Sequence, residues 1–490
     1  MTVTSIDRSD LRPTLAWRAV LPPIAAMVLV LTAFSGGYGY HRDELYFRML
    51  ELHWGYVDQP PLAPAVAHLF GSIADQPWAI RIPATLAAAG SALVLVLVTR
   101  ELGGGIVAQR LCAWGYCFAA LPLIFGHTLL TSTLDLPVWP AVLLFVLRAQ
   151  LRDDPRWWAA AGAVVGVSLY NKLLIAVLLV ALGLGLLVVG PRKALSSRWI
   201  LVGIGLIVLL GLPNLLYQLV NGFPQLTMGR ALSDHHGGQS RIFMWPFLLL
   251  MLGPPLVPIW LAGLVRLWRL RPVRFVAMAF PFLLVLVFAM GAQFYYPIGL
   301  VSVLFAAGCV PAADWLSRSN ARRGWVIAGV GLNALVSLVL ALPLIPVSVV
   351  GKTPIPGINQ AARDTVGWPT YVDQVRVVYD ALSPTDKAQT QLVASNYGEA
   401  GALERYGAGL PRVFSGQNGL YEQGTPTAPM VIVIGGQLPG VTQWFASCQV
   451  KAHLDNGDDV DNEEQDEPIA VCRNPIGGWA SVWPHFKHLD

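Results

Sequence analysis

Charge is what this chain has least of. Only 13% of its 490 residues are Asp, Glu, Lys or Arg, against about 25% in a typical soluble protein. A water-borne globule is thereby excluded. Apolar residues make up 55% of the chain and the mean hydropathy is +0.55, so the chain reads as a polytopic membrane protein. The net charge is only +4, and no basic stripe stands outside short loops, which argues against nucleic acid as a partner. Cysteine is scarce as well, with five in all. Cys112, Cys117 and Cys309 fall inside apolar runs and read as small buried residues. Internal repeats, low-complexity linkers and a nucleotide-binding motif are lacking. The amino-terminal segment shows no small-residue cleavage site after a short apolar region, so it reads as the lead into an uncleaved first span.

What is present is a series of apolar segments. Spans are expected at about 14–36, 82–99, 106–126, 134–149, 156–170, 173–190, 199–219, 244–267, 273–291, 297–316 and 323–347. That makes about eleven transmembrane helices. The segment 156–190 is read as two helices because it is well beyond the 17–25 residues of one span and Tyr170-Asn171-Lys172 interrupts it. With the amino terminus inside, the inner loops are Arg100–Arg110, Arg148–Arg156, Pro191–Arg198, Arg266–Arg274 and Arg318–Arg323, each with at least two Arg or Lys. The positive-inside rule is met at every short loop. The outer side then receives 37–81, 127–133, the Asn171 turn, 220–243, 291–296 and everything after 348.

Two domains follow from this: 1–347 in the membrane, with an outer juxtamembrane loop at 37–81, and an outer 348–490. In the second, the short apolar runs QLVAS, PMVIVIGG and PIAVCR read as strands. DTVGWPTYVDQVRVVYDAL reads as an amphipathic helix, giving a small α/β or α+β domain. Cys448 and Cys472 lie here, and an outer location makes a disulfide between them the natural pairing. The acidic run at 455–468 lacks EF-hand spacing and reads as a solvated loop.

The stretch from Tyr38 to Leu62 is where polar chemistry meets the membrane. It holds His41, Arg42, Asp43, Glu44, Arg48, Glu51, His53 and Asp58 among six aromatic residues, and Pro60-Pro61 ends it. The same topology gathers Asp135, Lys172, His235, His236, Gln293, Tyr295 and Tyr296 at the outer face. Ionisable groups at membrane depth are costly and mark functional cavities. Carboxylates to accept a proton, a cation to hold a phosphate and tyrosines to contact a sugar together suggest group-transfer chemistry. Adjacent helical residues point about 100° apart, so Asp43 and Glu44 have separate roles. Glu44 is placed to pair with Arg48 one turn on. Blander roles exist for the others: Asp135 as a helix cap, Lys172 as an interfacial cation, Tyr295 and Tyr296 as belt aromatics, and His235-His236 as exposed loop residues. A zinc site from the two histidines with Asp234 is the weakest of these readings.

Asp43-Glu44 after the first span, Tyr56-x-x-Gln59-Pro60-Pro61, Asp135, the Lys172 turn, and Tyr295-Tyr296 before PIGLVSVLFAAG appear in that order. With this pattern the chain resembles the GT-C glycosyltransferases of the family 39 type, which include protein O-mannosyltransferases and the bacterial lipid A aminoarabinose transferase. NYGEAGALERYG and LPRVFSGQNGLYEQG resemble the outer domain of bacterial members. The resemblance implies a sugar donor on a polyprenyl phosphate, transfer outside the cytoplasm at the cell membrane, and a hydroxyl acceptor on a glycan, lipid or protein. It gives Asp43 the part of base, with Glu44 and Asp135 as further carboxylates. No cofactor is implied, and a divalent metal is compatible with the pattern but not called for. Two positions depart from the bacterial pattern: Gln59 replaces a basic residue, and Tyr46 replaces an Arg. The donor phosphate then falls to Arg42, Arg81 or Lys172, with Tyr56, Gln59, Gln293, Tyr295 and Tyr296 beside the sugar or phosphate. Two other classes stay open: a lipid or glycan transporter, which would place acids near mid-membrane in two related halves, and a non-catalytic glycan-binding envelope protein.

Overall fold

A computed structural model describes residues 12–490; the amino-terminal lead as far as Leu11 lies outside them. Seven helices are long and apolar enough to cross a bilayer: Trp17–Phe34, Pro77–Glu101, Thr131–Leu151, Arg198–Val220, Arg271–Ala289, Ile298–Leu316 and Asn320–Ala341. Two further units are bent pairs, Ile106–Cys117 with Ala120–His127 at 56°, and Pro224–Leu250 with Pro254–Arg269 at 69°. The chain is a multi-pass membrane protein.

The expected split of 156–190 appears as the helices Trp157–Ser168 and Ile175–Val189. They have 12 and 15 residues, or roughly 18 and 22 Å at the helical rise. Neither reaches across a core of about 30 Å. Eleven full spans therefore become nine of spanning length among the described residues, plus two short ones. The break between the short helices is pinned from outside, where the Leu62 amide donates to the Tyr170 carbonyl at 2.9 Å.

Residues 220–243 are not a loop. Pro224 opens a helix of 27 residues that continues to Leu250, its fixed φ suiting the first helical position. Its polar stretch is held by Arg241, whose Nε donates to the Phe288 carbonyl at 3.0 Å.

After the first span the chain forms two juxtamembrane helices, Arg42–Met49 and Leu62–Gly71, before the turn Pro77–Ile80 that opens the second span. After the last span come β1 (Thr390–Ala394), β2 (Val413–Ser415), β3 (Met430–Ile434), β4 (Phe445–His453) and β5 (Pro468–Pro475), in the sheet order β2-β1-β3-β5-β4. The first three run parallel, and β5 and β4 are antiparallel additions. β1, β3 and β5 are the three expected strands. β2 and β4 were not expected. Cys448 on β4 stands opposite Cys472 on β5 and the two are joined in a disulfide.

The sheet region does not hang from the membrane part on a tether. One apolar cluster runs from Tyr40, Leu45, Tyr46 and Phe47 into Trp368, Val375, Leu403 and Ile432. The acidic run also differs from a solvated loop. Asn456, Asn462 and Glu464 are buried, Glu463 accepts from Arg42, and Glu464 accepts from Asn396 at 3.1 Å.

Candidate active site

The helix Arg42–Met49 starts at His41, whose Nδ1 accepts the Asp43 amide at 3.0 Å while its own amide donates to Glu44 at 2.9 Å. Two acids in a first turn also suit the helix dipole. The 100° between neighbouring side chains then sends these acids in different directions.

Glu44 goes inward. Arg81 Nε and Nη2 bind its two oxygens at 2.8 and 2.9 Å, the Leu129 amide adds a bond at 3.0 Å, and both side chains are fully buried. Burial raises the Glu44 carboxyl, but Arg81 and the amides outweigh it and hold it below its usual range. Arg81 spends its remaining donors on the Ser35 and Gly39 carbonyls, both at 2.7 Å. Both side chains are sealed from solvent, so neither is placed to meet a substrate. This corrects two expectations, Glu44 as a catalytic carboxylate and Arg81 as a phosphate ligand. The Glu44–Arg48 pair does not form either. Arg48 binds Asp75 at 2.9 Å and also Glu404.

Arg42 is engaged elsewhere through Nη1, while its buried Nε has no partner. Its guanidinium pairs with Glu463 and lies 4.7 Å from the centre of the Tyr397 ring. It fastens the helix to the sheet region.

Asp43 points the other way and keeps about a quarter of its side chain exposed, at 27%. Its Oδ1 accepts from the Tyr397 hydroxyl at 3.0 Å. The Tyr397 ring packs 4.7 Å from that of Tyr46, and the Tyr46 hydroxyl donates to Asp58 at 3.2 Å. Burial, with a contribution from the Asp43 charge, pushes Asp58 up to about 7. A second carboxylate close to Asp43 thus titrates near neutrality.

A second group faces this one from the spans. Asp135, one turn into the helix Thr131–Leu151, is buried and accepts from Asn171 Nδ2 at 2.9 Å. Its carboxylate is bound from the neighbouring turn, so it does not cap its own helix. Lys172 Nζ lies 4.6 Å from the Tyr296 ring centre and near the hydroxyls of Thr131 (3.5 Å) and Ser132 (3.4 Å). The Tyr295 hydroxyl accepts from Ser132 at 3.3 Å. Asp135, Ser132, Tyr295 and Tyr296 line one narrow pocket with Tyr116 and Trp139. Burial and, more weakly, the Asp43 charge raise the Tyr295 phenol against the pull of Lys172, so Asp43 lies within electrostatic reach of Tyr295.

The other expected residues lie outside this arrangement or only support it. Tyr56 donates to the Glu51 carbonyl at 2.7 Å and accepts from the His53 amide at 3.1 Å, which closes its own loop. Gln59 is buried, with its carbonyl on the Tyr56 amide at 2.9 Å and its Nε2 without a partner. Gln293 is half-buried and its carbonyl accepts the Tyr296 amide at 3.1 Å. His236 binds the Asp490 carboxylate at 2.7 Å, and no trio of metal-binding side chains forms among the described residues.

Asp58, Asn171 and Tyr397 are the functional candidates that the sequence reading passed over. Asn171 and Asp58 stood beside singled-out residues. Tyr397 stood in a capping box, Asn396 to Glu399, whose destination the sequence does not reveal.

Comparison with solved structures gives the fold. ArnT from Cupriavidus metallidurans bound to undecaprenyl phosphate superposes with a TM-score of 0.59 at 16% identity, over 93% of this chain and 98% of that one. Its apo form gives a TM-score of 0.58 at 14% identity, over 94% and 98%. The chain has the GT-C fold. The sequence model of the dolichyl-phosphate-mannose-protein mannosyltransferase family matches residues 58–217. Within the GT-C frame this segment carries Asp58, Arg81, Asp135 and Lys172 but not Asp43, Tyr295 or Tyr397. Among curated proteins no relative is found.

Proposed function

We propose that this protein is an inverting glycosyltransferase that moves a hexosyl or pentosyl unit from a polyprenyl-phosphate donor to an acceptor hydroxyl. The reading rests above all on one observation: a half-open carboxylate, Asp43, lies within electrostatic reach of Tyr295, which lines a pocket with Asp135, Ser132 and Tyr296, and Tyr296 in turn packs against the half-buried Lys172. A lipid-linked donor reaches such a place from the bilayer and an acceptor reaches it from water. The acceptor oxygen attacks the anomeric carbon and gives its proton to Asp43 as the bond from that carbon to the phosphate oxygen breaks. Lys172, with the hydroxyls of Ser132 and Tyr295, receives the charge left on the phosphate. Asp135 orients Asn171 and adds negative charge near Lys172. The ArnT structure with undecaprenyl phosphate supports a lipid phosphate as the donor's carrier. The lipid-linked sugar is itself the activated substrate, so we assign no cofactor.

The distribution of basic residues among the short loops supports a topology with the amino terminus in the cytoplasm and residues 348–490 outside the cell membrane. A transporter is disfavoured, because the polar residues collect at one end of the helices and show no second, related half. The direct test incubates the purified protein in lipid with a panel of polyprenyl-phosphate sugars. Sugar transfer or release of the lipid phosphate is expected with at least one. Intact donors throughout, with folded protein, would retire the transferase reading.

A further inference from the structure

We propose that Tyr397 is a positioning residue for Asp43, so that the sheet region completes the active site. The inference rests on Asp43 being the base. Tyr397 is 354 positions away in sequence, yet its hydroxyl lies 3.0 Å from Asp43 Oδ1. It is the one side-chain hydrogen bond the Asp43 carboxylate receives among the described residues. A phenol donating to one oxygen stabilises the ionised carboxylate and leaves the second oxygen for the acceptor's proton.

The tyrosine is held tightly enough for this. Its ring is packed between the Arg42 guanidinium and the Tyr46 ring, each 4.7 Å away. Its amide donates to Gln417 Oε1 at 2.6 Å. It opens the helix Tyr397–Tyr406, which is capped by Asn396 on the Glu399 amide at 2.8 Å and by Glu399 on the Asn396 amide at 3.1 Å. This helix lies against Arg42–Met49 through two glycines. A Cβ at Gly401 would stand 2.8 Å from the Leu45 backbone, and one at Gly398 would stand 3.0 Å from Arg42 Cβ. Side chains there would push the phenol off the carboxylate. Burial, against the pull of Arg42, keeps the phenol well above its ordinary range and therefore protonated.

The other groups facing Asp43 are His41, with Nδ1 4.0 Å from Oδ1, Asp58 from the loop before Pro60, and Tyr295 from the far side of the pocket. None of them donates to the carboxylate in place of Tyr397.

The test is the pH dependence of Asp43 labelling by dicyclohexylcarbodiimide, which reacts with the protonated carboxyl. Peptide mass spectrometry of the full chain in lipid reads it out. A hydrogen bond to a charged group is worth enough that Tyr397→Phe should move the labelling midpoint up by about one pH unit or more. The acid limb of the transfer rate should move with it, while the rate at high pH stays within a few-fold of wild type. Tyr397→His, which keeps a ring donor, should restore part of the shift. If the midpoint of Tyr397→Phe stays put in a folded protein, or if activity drops equally at every pH, the inference is overturned. A shifted midpoint in a protein that transfers no sugar would leave Tyr397 coupled to Asp43 and retire the transferase reading instead.

Discussion

The Glu44–Arg81 pair and the set formed by Asp43 and Lys172 are built from the same residue types, a carboxylate and a cation. In the first pair every oxygen and nitrogen has a partner and the side chains are sealed from water. In the second, Asp43 has one phenol and open space, and Lys172 has an aromatic face and two distant hydroxyls. Charge at membrane depth is expensive in either place. The closed pair offsets that cost with its own hydrogen bonds and ties the segment after the first span to the start of the second. The open group leaves bonds unmade, which is what a site must do if a substrate is to make them.

The sharpest way to break this comparison is to open the closed pair. Arg81→Met should strand Glu44 in an apolar setting and destabilise the fold by about 3–5 kcal/mol, the usual cost of removing one partner of a buried pair. Unfolding in detergent, followed by heat or denaturant, measures it. The double change Arg81→Met with Glu44→Gln should recover much of that loss, since no unpaired charge remains.

Lys172→Met should behave in the opposite manner. The fold should lose little, but the donor's KM should rise about 10- to 100-fold if the ammonium binds the lipid phosphate. A Lys172→Met protein that is badly destabilised but binds donor normally would put Lys172 in the structural class with Arg81.

Asp58 gives an effect with a pH signature. Its folded carboxyl lies at about 7, above the ordinary 3.8. Folding therefore favours the protonated form, and its contribution is fully present below about pH 4 and lost as pH rises through 7. Asp58→Asn should flatten that part of the stability curve, with a thermal midpoint above wild type at pH 8 and equal to it at pH 4. Parallel curves for the two proteins would show that Asp58 does not carry this charge penalty.

Much of the fold is legible in the sequence, because lipid imposes long uncharged runs and internal hydrogen bonding. The runs at 82–99, 199–219 and 323–347 each correspond to a full helix. Where polar residues interrupt a run, the reading falters. Pro224–Leu250 carries SDHHGGQSR and reads as a loop, but Gly237 packs against Gly291 and Arg241 caps the end of a neighbouring helix. β2 has only three residues, and β4 carries mostly outward-facing polar ones, so neither gives a clear strand pattern. For the site, the 100° rule separates Asp43 from Glu44 but not which of them turns inward. That choice is made by Arg81, 37 positions away. Tyr397 was hidden for the same reason, since its partner lies at the other end of the chain.

The account stands or falls on Asp43. Asp43→Asn keeps the side chain's shape and its bond from Tyr397 but cannot take up a proton. With wild type and Glu44→Gln assayed beside it in the same lipid, the measurement is the rate of sugar transfer at saturating donor. General-base assistance is worth about 10²–10⁴-fold, so Asp43→Asn should lose that much while donor binding and the unfolding midpoint stay near wild type. Near-normal turnover from a folded Asp43→Asn protein would contradict the account and move the base to Asp135.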